Sequence, residues 1–212
     1  MKKEQRRWQE LSKEQNSLEY ILPNRDFDRF WEEGRLQANE LQTNINADDV
    51  VLEFGCGVGR ILTNIKCKSK FGTDISKSYL DRIQDENITT LNSDGKRLEL
   101  KNETIDFIYS IMVFQHIPYE YHSEIFKELL RVLKKGGEMY IQFPKKTDKF
   151  FSYYKETDFV NTYSVGDIYN IIHPLKGSFS DFEIEEGNLV AYGENGTFNP
   201  DENLEYFLTL VK

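Results

Sequence analysis

From residue 50 onward, the apolar residues come in short runs that alternate with stretches of helical periodicity. The strand-like runs are VVLEF, KFGTD, ITTLN, IDFIYSI and MYIQF, and the helical stretches between them include ILTNI, SKSYLDRIQ and residues 119–133. Strands that alternate with helices in this way predict βαβ units. We therefore predict an α/β fold whose parallel sheet is covered by helices on both faces.

Residues 4–46 are polar and carry their apolar side chains at helical spacing. These side chains are Trp8, Leu11, Leu18, Phe27, Phe30, Trp31, Leu36 and Leu41. The pattern predicts helices with one buried face, and Pro23 and Asn24 divide them into two. We predict an N-terminal helical cap over residues 1–46 and a single α/β domain over residues 47–212.

Two further patterns predict where elements of the C-terminal half begin and end. Lys134 and Lys135 precede Gly136 and Gly137, which is typical of a helix end with cations at its negative pole, so the fifth strand should start after the glycines. A short helix is predicted over residues 164–172. The segments FSDFEIEEG and LEYFLTLVK then follow without a helix between them, which predicts an antiparallel pair of strands.

The segment VLEFGCGVGR places a carboxylate and three glycines at the end of the first predicted strand. Glu53 is followed by Gly55, Gly57 and Gly59, which can bring bare backbone amides against a ligand above the strand's end. In the dinucleotide-binding pattern G-x-G-x-x-G the third glycine comes one residue later, where this chain has Arg60. The spacing and the acidic residue favour a zwitterionic or cationic nucleotide-like ligand over a pyrophosphate. A glycine-rich turn that binds nothing is the alternative.

These residues resemble the first motif of the class I S-adenosylmethionine-dependent methyltransferases, an acidic residue followed by G-x-G-x-G at the end of the first strand. The resemblance covers residues 50–143 well and the remainder in outline. It implies a doubly wound, Rossmann-like α/β fold with a seven-stranded, mostly parallel sheet in the order 3-2-1-4-5-7-6. It also implies S-adenosyl-L-methionine as the cofactor, bound outside the carboxyl ends of the strands.

Two acidic turns after predicted strands are candidates for the nucleoside part of the cofactor. Asp74 ends the second strand, where a carboxylate can accept both ribose hydroxyls. Its alternative role is to cap the helix predicted at 76–84, although Ser76 is itself a good cap. Asp94, followed by Gly95, matches the family's acceptor for the adenine amino group, and the alternative is a simple turn former.

The same resemblance assigns the end of the fourth strand and Glu53 to the methionine part of the cofactor. Ser110, Ile111 and Met112 match the family's fourth motif, whose backbone lies beneath the methionine part. Glu53 matches an acidic position that lies near the cofactor's ammonium group or only organises the loop amides. The complete predicted cofactor site comprises Glu53, Phe54, Gly55, Cys56, Gly57, Gly59, Asp74, Ile75, Asp94, Gly95, Ser110, Ile111 and Met112.

Methyl transfer from a sulfonium is an in-line displacement, which needs positioning and exclusion of water more than covalent catalysis. A general base helps when the acceptor is a hydroxyl group. We predict His116 for this role because histidine titrates near neutral pH. Packing beneath the cofactor is the alternative role for His116, and Tyr119 and Tyr121 are further candidates for the base.

Aromatic residues are concentrated in two places where this family builds its substrate lid. One is the segment 143–163, and the other is the predicted helix that carries Phe30, Trp31 and Arg35. Aromatic rings with polar tips suit a partly apolar acceptor, and packing in the core under a long loop is the alternative.

Composition narrows the set of partners. The 212 residues carry a formal net charge of −9 and a pI of about 5.0, which disfavours a general binder of nucleic acids or of anionic membranes. No apolar stretch of about 18 residues is present, and Cys56 and Cys67 cannot form a disulfide framework or a metal knuckle. We predict a cytoplasmic protein without a bound metal, with a small-molecule acceptor, no nucleic-acid or membrane partner, and a monomeric or homodimeric state.

Two other functions would use the same features. A nicotinamide-dependent oxidoreductase also places an acidic residue after the second strand, but the glycine spacing and Glu53 disfavour it. A relative that binds the cofactor as a scaffold or sensor, without turnover, would keep the same glycines and carboxylates. The prediction is an S-adenosylmethionine-dependent methyltransferase that acts on an oxygen or nitrogen nucleophile of a small molecule.

Overall fold

The computed structural model describes residues 2–14, 27–146, 160–187 and 204–212. The predicted division at Pro23 and Asn24 lies outside these residues, as does most of the aromatic segment that ends at Tyr163. Within the residues just named, no helix combines the length and apolar character that crossing a membrane requires.

The helices follow the periodicity of the sequence. They are α1 (Lys2–Leu11), α2 (Phe27–Leu41), α3 (Lys77–Leu80), α4 (His122–Val132) and α5 (Val165–Ile172). Ser164 caps α5 through a reciprocal pair of bonds with Asp167, a capping box that satisfies two backbone amides at the start of the helix. The predicted helix over residues 164–172 is confirmed.

In the part of the chain that the structure describes, seven strands form one sheet in the order predicted. They are β1 (Val50–Phe54), β2 (Ser69–Asp74), β3 (Ile88–Asn92), β4 (Ile105–Ser110), β5 (Leu133–Pro144), β6 (Asp181–Gly187) and β7 (Glu205–Val211). Their order is β3-β2-β1-β4-β5-β7-β6. β7 pairs antiparallel with both β5 and β6, while β1 with β2, β2 with β3, and β4 with β5 are parallel pairs. The doubly wound α/β fold and the antiparallel C-terminal pair are both confirmed.

The described residues up to Gly95 form one compact unit, made of α1, α2, β1 to β3 and α3. The centre of its sheet is apolar, since Val51 and Leu52 of β1 are fully buried. The register places Glu53 beside Gly72 and Asp74 beside Asn92. The polar ends of these three strands therefore lie at one edge of the unit.

The described residues from Lys96 onward form a second unit, made of α4, α5 and β4 to β7. An aromatic core joins its helices to its sheet, with Phe114 5.2 Å from Phe126 and 5.4 Å from Phe143 between ring centres. Glu128 of α4 is buried and accepts hydrogen bonds from the Leu98 amide and the Arg131 guanidinium. The loop before β4 is thereby attached to α4.

Two predicted helices are much shorter than expected. ILTNI forms only a 3₁₀ turn at Leu62–Asn64, because Thr63 Oγ1 and Asn64 Nδ2 bond the carbonyls of Gly59 and Arg60 and compete with a regular helix. The helix expected at 76–84 ends at Leu80. Beyond Leu80, the Ile83 side chain lies against Gly59, and Asp85 pairs with Lys70 of β2.

The predicted helix end at Gly136 and Gly137 is wrong. α4 ends at Val132, and β5 begins at Leu133, so both glycines lie inside the strand. The register with β4 shifts here, with Ile105 opposite Leu133 but Phe107 opposite Glu138. Gly136 has a φ of +74°, and a Cβ atom at Gly137 would lie 2.8 Å from the Asp106 carbonyl oxygen. The two glycines therefore allow the strand to be irregular at this point. Gly136 permits a positive φ, and Gly137 permits the close approach of the β4 backbone.

Candidate functional site

The glycine turn after β1 is held against β2 by its backbone. The amides of Gly55 and Cys56 both donate to the Thr73 carbonyl oxygen, at 2.8 and 2.9 Å. Gly55, Gly57 and Gly59 all have positive φ values, of +78°, +54° and +76°, which favour glycine. The turn therefore needs glycine at each position for conformational reasons alone.

The three glycines differ in what surrounds them. A Cβ atom at Gly57 would meet no atom of the described residues within 4 Å, so with respect to these residues the turn is open on that side. A Cβ atom at Gly59 would instead lie 3.2 Å from the side chain of Ile83. The open side at Gly57 leaves room for a ligand to approach the backbone, whereas Gly59 permits close packing within the protein.

Asp74, at the end of β2, joins the glycine turn to α3. Its Oδ2 accepts a 2.9 Å hydrogen bond from the Gly57 amide, and its Oδ1 accepts a 2.8 Å bond from the Ser76 amide. Ser76 itself caps α3 by accepting from the Tyr79 amide, so the helix does not depend on Asp74 for its cap. Burial raises the pKa of Asp74, and hydrogen bonds from the backbone amides of Ser76, Gly57 and Ile75 oppose this shift.

Glu53 and Cys56 lie beside this carboxylate in the same unit. The Glu53 residue is only 3% exposed. Burial raises the pKa of the Cys56 thiol well above its usual value, and the charges of Glu53 and Asp74 raise it further. A Cβ atom at Gly72 would lie 2.8 Å from Cys56 Sγ, so the thiol packs tightly on β2. Cys56 is therefore a protonated packing residue rather than a nucleophile.

The turn after β3 is tied to Asp74 through the backbone. The Ser93 amide donates to the Asp74 carbonyl oxygen at 3.1 Å, and Asn92 Nδ2 donates to the carbonyls of Asp74 and Ile75. Gly95 has a φ of +82°, and its amide donates to Ser93 Oγ. Asp94, between them, is half-buried. The predicted site residues from Glu53 to Gly95 thus gather at one edge of one unit.

The N-terminal helices contact the glycine turn directly. Trp8 of α1 packs on a buried cluster of Phe30, Val58 and Tyr79, in which Val58 belongs to the turn. Gln9 Nε2 also donates to the Ile75 carbonyl oxygen, at 3.4 Å. The helices therefore support the backbone of the candidate site, a contact that the sequence did not indicate.

The side chains of α2 that were candidates for a substrate lid have different surroundings. Phe30 is buried, and the Arg60 guanidinium carbon lies 5.2 Å from its ring centre. Trp31 is 43% exposed, and Arg35 is exposed and pairs with Glu32 of the same helix. Phe30 thus packs in the core, which was the alternative to a role in a substrate lid. Trp31 and Arg35 lie on the surface.

In the second unit, Ser110, Ile111 and Met112 follow directly from β4. Ser110 and Ile111 are buried, while Met112 is half-buried with a φ of +61°, which is unusual for a side-chain-bearing residue. The Met112 amide donates a 2.8 Å hydrogen bond to Gln142 Oε1 of β5, and Gln142 Nε2 donates to the Glu205 carboxyl of β7. Burial raises the pKa of Glu205 to about 8.

The sequence interpretation missed Gln142 and Glu205. A signal for Gln142 was present, since it is a polar residue inside the apolar run MYIQF, and a buried amide needs partners. Glu205 carried no such signal, because its neighbours in LEYFLTLVK read as an ordinary strand.

The candidates for a general base lie in and after the 3₁₀ turn Phe114–His116. His116 ends this turn and is half-buried. Tyr119 donates its hydroxyl proton to the Thr162 carbonyl oxygen at 2.6 Å, and burial raises its pKa to about 12. The Lys96 ammonium lies 4.3 Å from the ring centre of Tyr121. These contacts give Tyr119 and Tyr121 structural roles in the second unit.

The described end of the aromatic segment is anchored to the same turn. The Tyr163 hydroxyl donates to the Phe114 carbonyl oxygen at 2.8 Å, and Asn161 Nδ2 donates to the Ile117 carbonyl oxygen at 2.7 Å. Phe143 and Tyr163 are fully buried, with ring centres 4.8 Å apart. Both rings belong to the core of the unit. The remaining aromatic residues of the segment, from Phe150 to Phe159, lie outside the described residues.

The central part of the chain resembles a known family of proteins. Residues 52–141 match a family model described as a methyltransferase domain. These residues include the glycine turn, Asp74, Asp94 and the end of β4. No curated protein matches the sequence.

Solved structures resemble the fold over most of the chain. A SAM-dependent methyltransferase from Thermotoga maritima has a TM-score of 0.66 at 15% identity, covering 96% of this chain and 99% of its own. A methyltransferase of Haloferax volcanii, in complex with the Trm112 activator, has a TM-score of 0.64 at 16% identity, with coverages of 87% and 90%. The magnesium protoporphyrin IX methyltransferase of Synechocystis with bound SAH has a TM-score of 0.60 at 18% identity, with coverages of 86% and 82%. At these identities the likeness is one of fold.

Proposed function

We propose that the chain is a class I, S-adenosylmethionine-dependent methyltransferase that methylates an oxygen or nitrogen nucleophile of a small molecule, and the match of residues 52–141 to a methyltransferase domain supports this proposal. The methyl donor would be S-adenosyl-L-methionine, whose demethylated product SAH is bound in the Synechocystis methyltransferase of similar fold. The observation that carries the proposal for the site is the Asp74 carboxylate, held between the Gly57 and Ser76 amides beside the open side of the glycine turn.

We assign the nucleoside part of the cofactor to Asp74 and the turn after β3. The Asp74 carboxylate, which the Gly57 and Ser76 amides hold in place, would accept hydrogen bonds from the ribose hydroxyls. Asp94 would accept from the adenine amino group, and the Gly95 backbone would lie against the ring. The hydrogen bonds from Asn92 and Ser93 to the Asp74 backbone support this assignment. They fix the position of the turn after β3 relative to Asp74 at the end of β2.

We assign the methionine part of the cofactor to Glu53 and to the backbone of Ser110, Ile111 and Met112. Glu53 is buried near the end of β1, directly before the glycine turn, where its carboxylate could accept a hydrogen bond from the ammonium group of the cofactor. The left-handed turn at Met112 would hold its backbone in one orientation toward the ligand.

The bound cofactor supplies a methyl carbon that the adjoining positive sulfur already activates. The residues of this chain would contribute by orientation and by exclusion of water, rather than by a covalent intermediate. His116 would take the proton of a hydroxyl acceptor as a general base. An amine acceptor would need only to arrive unprotonated.

The acidic surface supports a small-molecule acceptor. A net charge of −9 repels the phosphate backbone of RNA and DNA at long range. The Synechocystis protein of similar fold is named for magnesium protoporphyrin IX, an acceptor of this size class.

Isothermal titration with S-adenosylmethionine, S-adenosylhomocysteine and NAD tests the cofactor assignment. We expect both methionine derivatives to bind with one site per chain and NAD to show no heat of binding. Binding of NAD alone would overturn the assignment.

Transfer of labelled methyl groups from the cofactor into fractions of a cell extract tests the acceptor. We expect label in the small-molecule fraction, and less of it with the Asp74→Ala variant. Label in the RNA or protein fraction would contradict the small-molecule proposal. Tight cofactor binding without transfer to any fraction would contradict turnover itself.

A further inference from the structure

Met112 adopts a backbone conformation that its own side chain disfavours. Its φ of +61° lies in the left-handed region, where a residue with a Cβ atom persists only if its surroundings hold it there. The Met112 amide donates a 2.8 Å hydrogen bond to Gln142 Oε1, which restrains this turn from the neighbouring strand β5.

The orientation of the Gln142 amide follows from its two partners. A backbone N–H can only donate, so the oxygen of the Gln142 side chain must face Met112 and the nitrogen must face away. That nitrogen donates to the Glu205 carboxyl, which β7 places on the same face of the sheet. Gln142 is 1% exposed, so water cannot replace either partner at low cost.

The Glu205 carboxyl can accept from Gln142 Nε2 in either protonation state. Burial raises its pKa to about 8, which favours the neutral form at neutral pH. A neutral carboxyl still accepts through an oxygen. Glutamine has nearly the same shape and also offers an oxygen acceptor, so it should substitute for Glu205 here.

We propose that Gln142 and Glu205 are positioning residues that hold the Met112 turn in the conformation needed to bind the amino-acid end of the cofactor. The proposal rests on the function proposed above. It adds two residues from β5 and β7 that no motif of the family match contains, because Gln142 and Glu205 lie beyond residue 141.

The test compares two ligands that differ at the amino-acid end. S-adenosylhomocysteine has this end, and 5′-methylthioadenosine keeps the nucleoside and the thioether but lacks it. For Gln142→Leu and Glu205→Leu we expect the Kd of S-adenosylhomocysteine to rise about tenfold, and that of methylthioadenosine to change by less than about twofold.

Three more variants sharpen the test. Gln142→Asn is one methylene too short to span both partners, and should behave like Gln142→Leu while disturbing the core less. Glu205→Gln should bind both ligands within about twofold of the unaltered protein, because it preserves the oxygen acceptor. Thr209→Val, half-buried on β7, is the matched control and should change neither Kd. Thermal melting of each variant confirms that it folds.

The outcomes separate the two proposals. If the unaltered protein binds neither ligand, the proposed function fails and this proposal fails with it. If the unaltered protein binds both, but Gln142→Asn and Gln142→Leu bind S-adenosylhomocysteine equally well, only the positioning role is overturned. An equal loss of affinity for both ligands would also overturn it, since that pattern indicates general damage to the fold.

Discussion

Asp74 is the residue on which the candidate site depends most directly. Each of its carboxylate oxygens accepts from a backbone amide, one in the glycine turn and one at the start of α3. The sequence predicted a carboxylate at this place for the ribose and offered helix capping as the alternative. The structure gives the cap to Ser76 and adds a role in holding the Gly57 amide.

For Asp74→Asn, we expect a loss of about 1–3 kcal/mol in the free energy of unfolding, because the new NH₂ group must face an amide donor. Cofactor affinity should fall at least about tenfold, since a charged acceptor of hydrogen bonds is lost. Urea unfolding and titration calorimetry measure the two effects.

Asp81→Asn is the matched control for this change. Asp81 is 58% exposed on its side chain and pairs with Lys77 one helical turn away. Surface pairs of this kind contribute less than about 1 kcal/mol, so both stability and affinity should stay close to the unaltered values. Equal effects at Asp74 and Asp81 would contradict the role assigned to Asp74.

Gln142 and Glu205 show why individual partners are hard to predict. Gln142 is 63 residues from Glu205 and 30 residues from Met112. Whether the three meet depends on the pairing register of β5 with β7, which no local pattern reveals. Asp74, in contrast, could be predicted because it directly follows the apolar residues of its own strand.

The contact of α2 with the glycine turn depends on Gly34. A Cβ atom at this position would lie 2.5 Å from the Arg60 carbonyl oxygen, a separation that requires the backbone to move. Alanine usually stabilises a helix relative to glycine by up to about 1 kcal/mol. We expect Gly34→Ala to destabilise the protein instead, by about 1–3 kcal/mol, because of this overlap.

Gly166→Ala in α5 is the control for Gly34→Ala. A Cβ atom at Gly166 would lie 3.6 Å from Ser164 Oγ, an ordinary contact. This variant should match or slightly exceed the unaltered protein in a thermal unfolding experiment. If Gly34→Ala also melts at or above the temperature of the unaltered protein, α2 does not pack closely on the Arg60 backbone.

The packing around α4 predicts a pH dependence of stability. His122 is fully buried among aromatic rings, and burial lowers its pKa to about 4. Below about pH 6.5 the unfolded chain takes up a proton at this residue, whereas the folded chain does so only near pH 4. The contribution of neutral His122 to the free energy of unfolding is therefore fully present at pH 7.5. It decreases as the pH falls from about 6.5 towards 4.

Between pH 7.5 and pH 5.5, this linkage should remove about 1 kcal/mol from the free energy of unfolding. Both values lie above the pI of about 5.0, where the protein stays charged. Urea unfolding of the unaltered protein and of His122→Phe at the two pH values measures the difference. The variant should lose about 1 kcal/mol less over this interval, and an identical loss in both proteins would contradict the prediction.

The strands were easier to predict than the ends of the helices. Apolar runs such as IDFIYSI identify their strands because burial on both faces demands apolar residues throughout. The end of α4 was misplaced because Gly136 and Gly137 have the same local appearance in a helix end and in an irregular strand. Their pairing with β4 distinguishes the two cases, and that pairing is a long-range contact.

The whole domain should gain stability from its cofactor. A ligand that binds only the folded state at 100 times its Kd adds about 2.7 kcal/mol. For a chain of this size, that corresponds to a rise in Tm of about 5–10 °C. Scanning calorimetry with S-adenosylhomocysteine should show this rise, and NAD at the same concentration should not. A rise with NAD and none with S-adenosylhomocysteine would contradict the cofactor assignment.

The amino-acid sequence alone was sufficient for the class of fold, the seven strands, the glycine turn and the carboxylates at strand ends, because these features are local in the chain. It could not show that α1 and α2 support the glycine turn, or that Gln142 and Glu205 restrain Met112. Such contacts join residues that are tens of positions apart. They depend on register and packing, which are set when the chain folds rather than by the periodicity of any one segment.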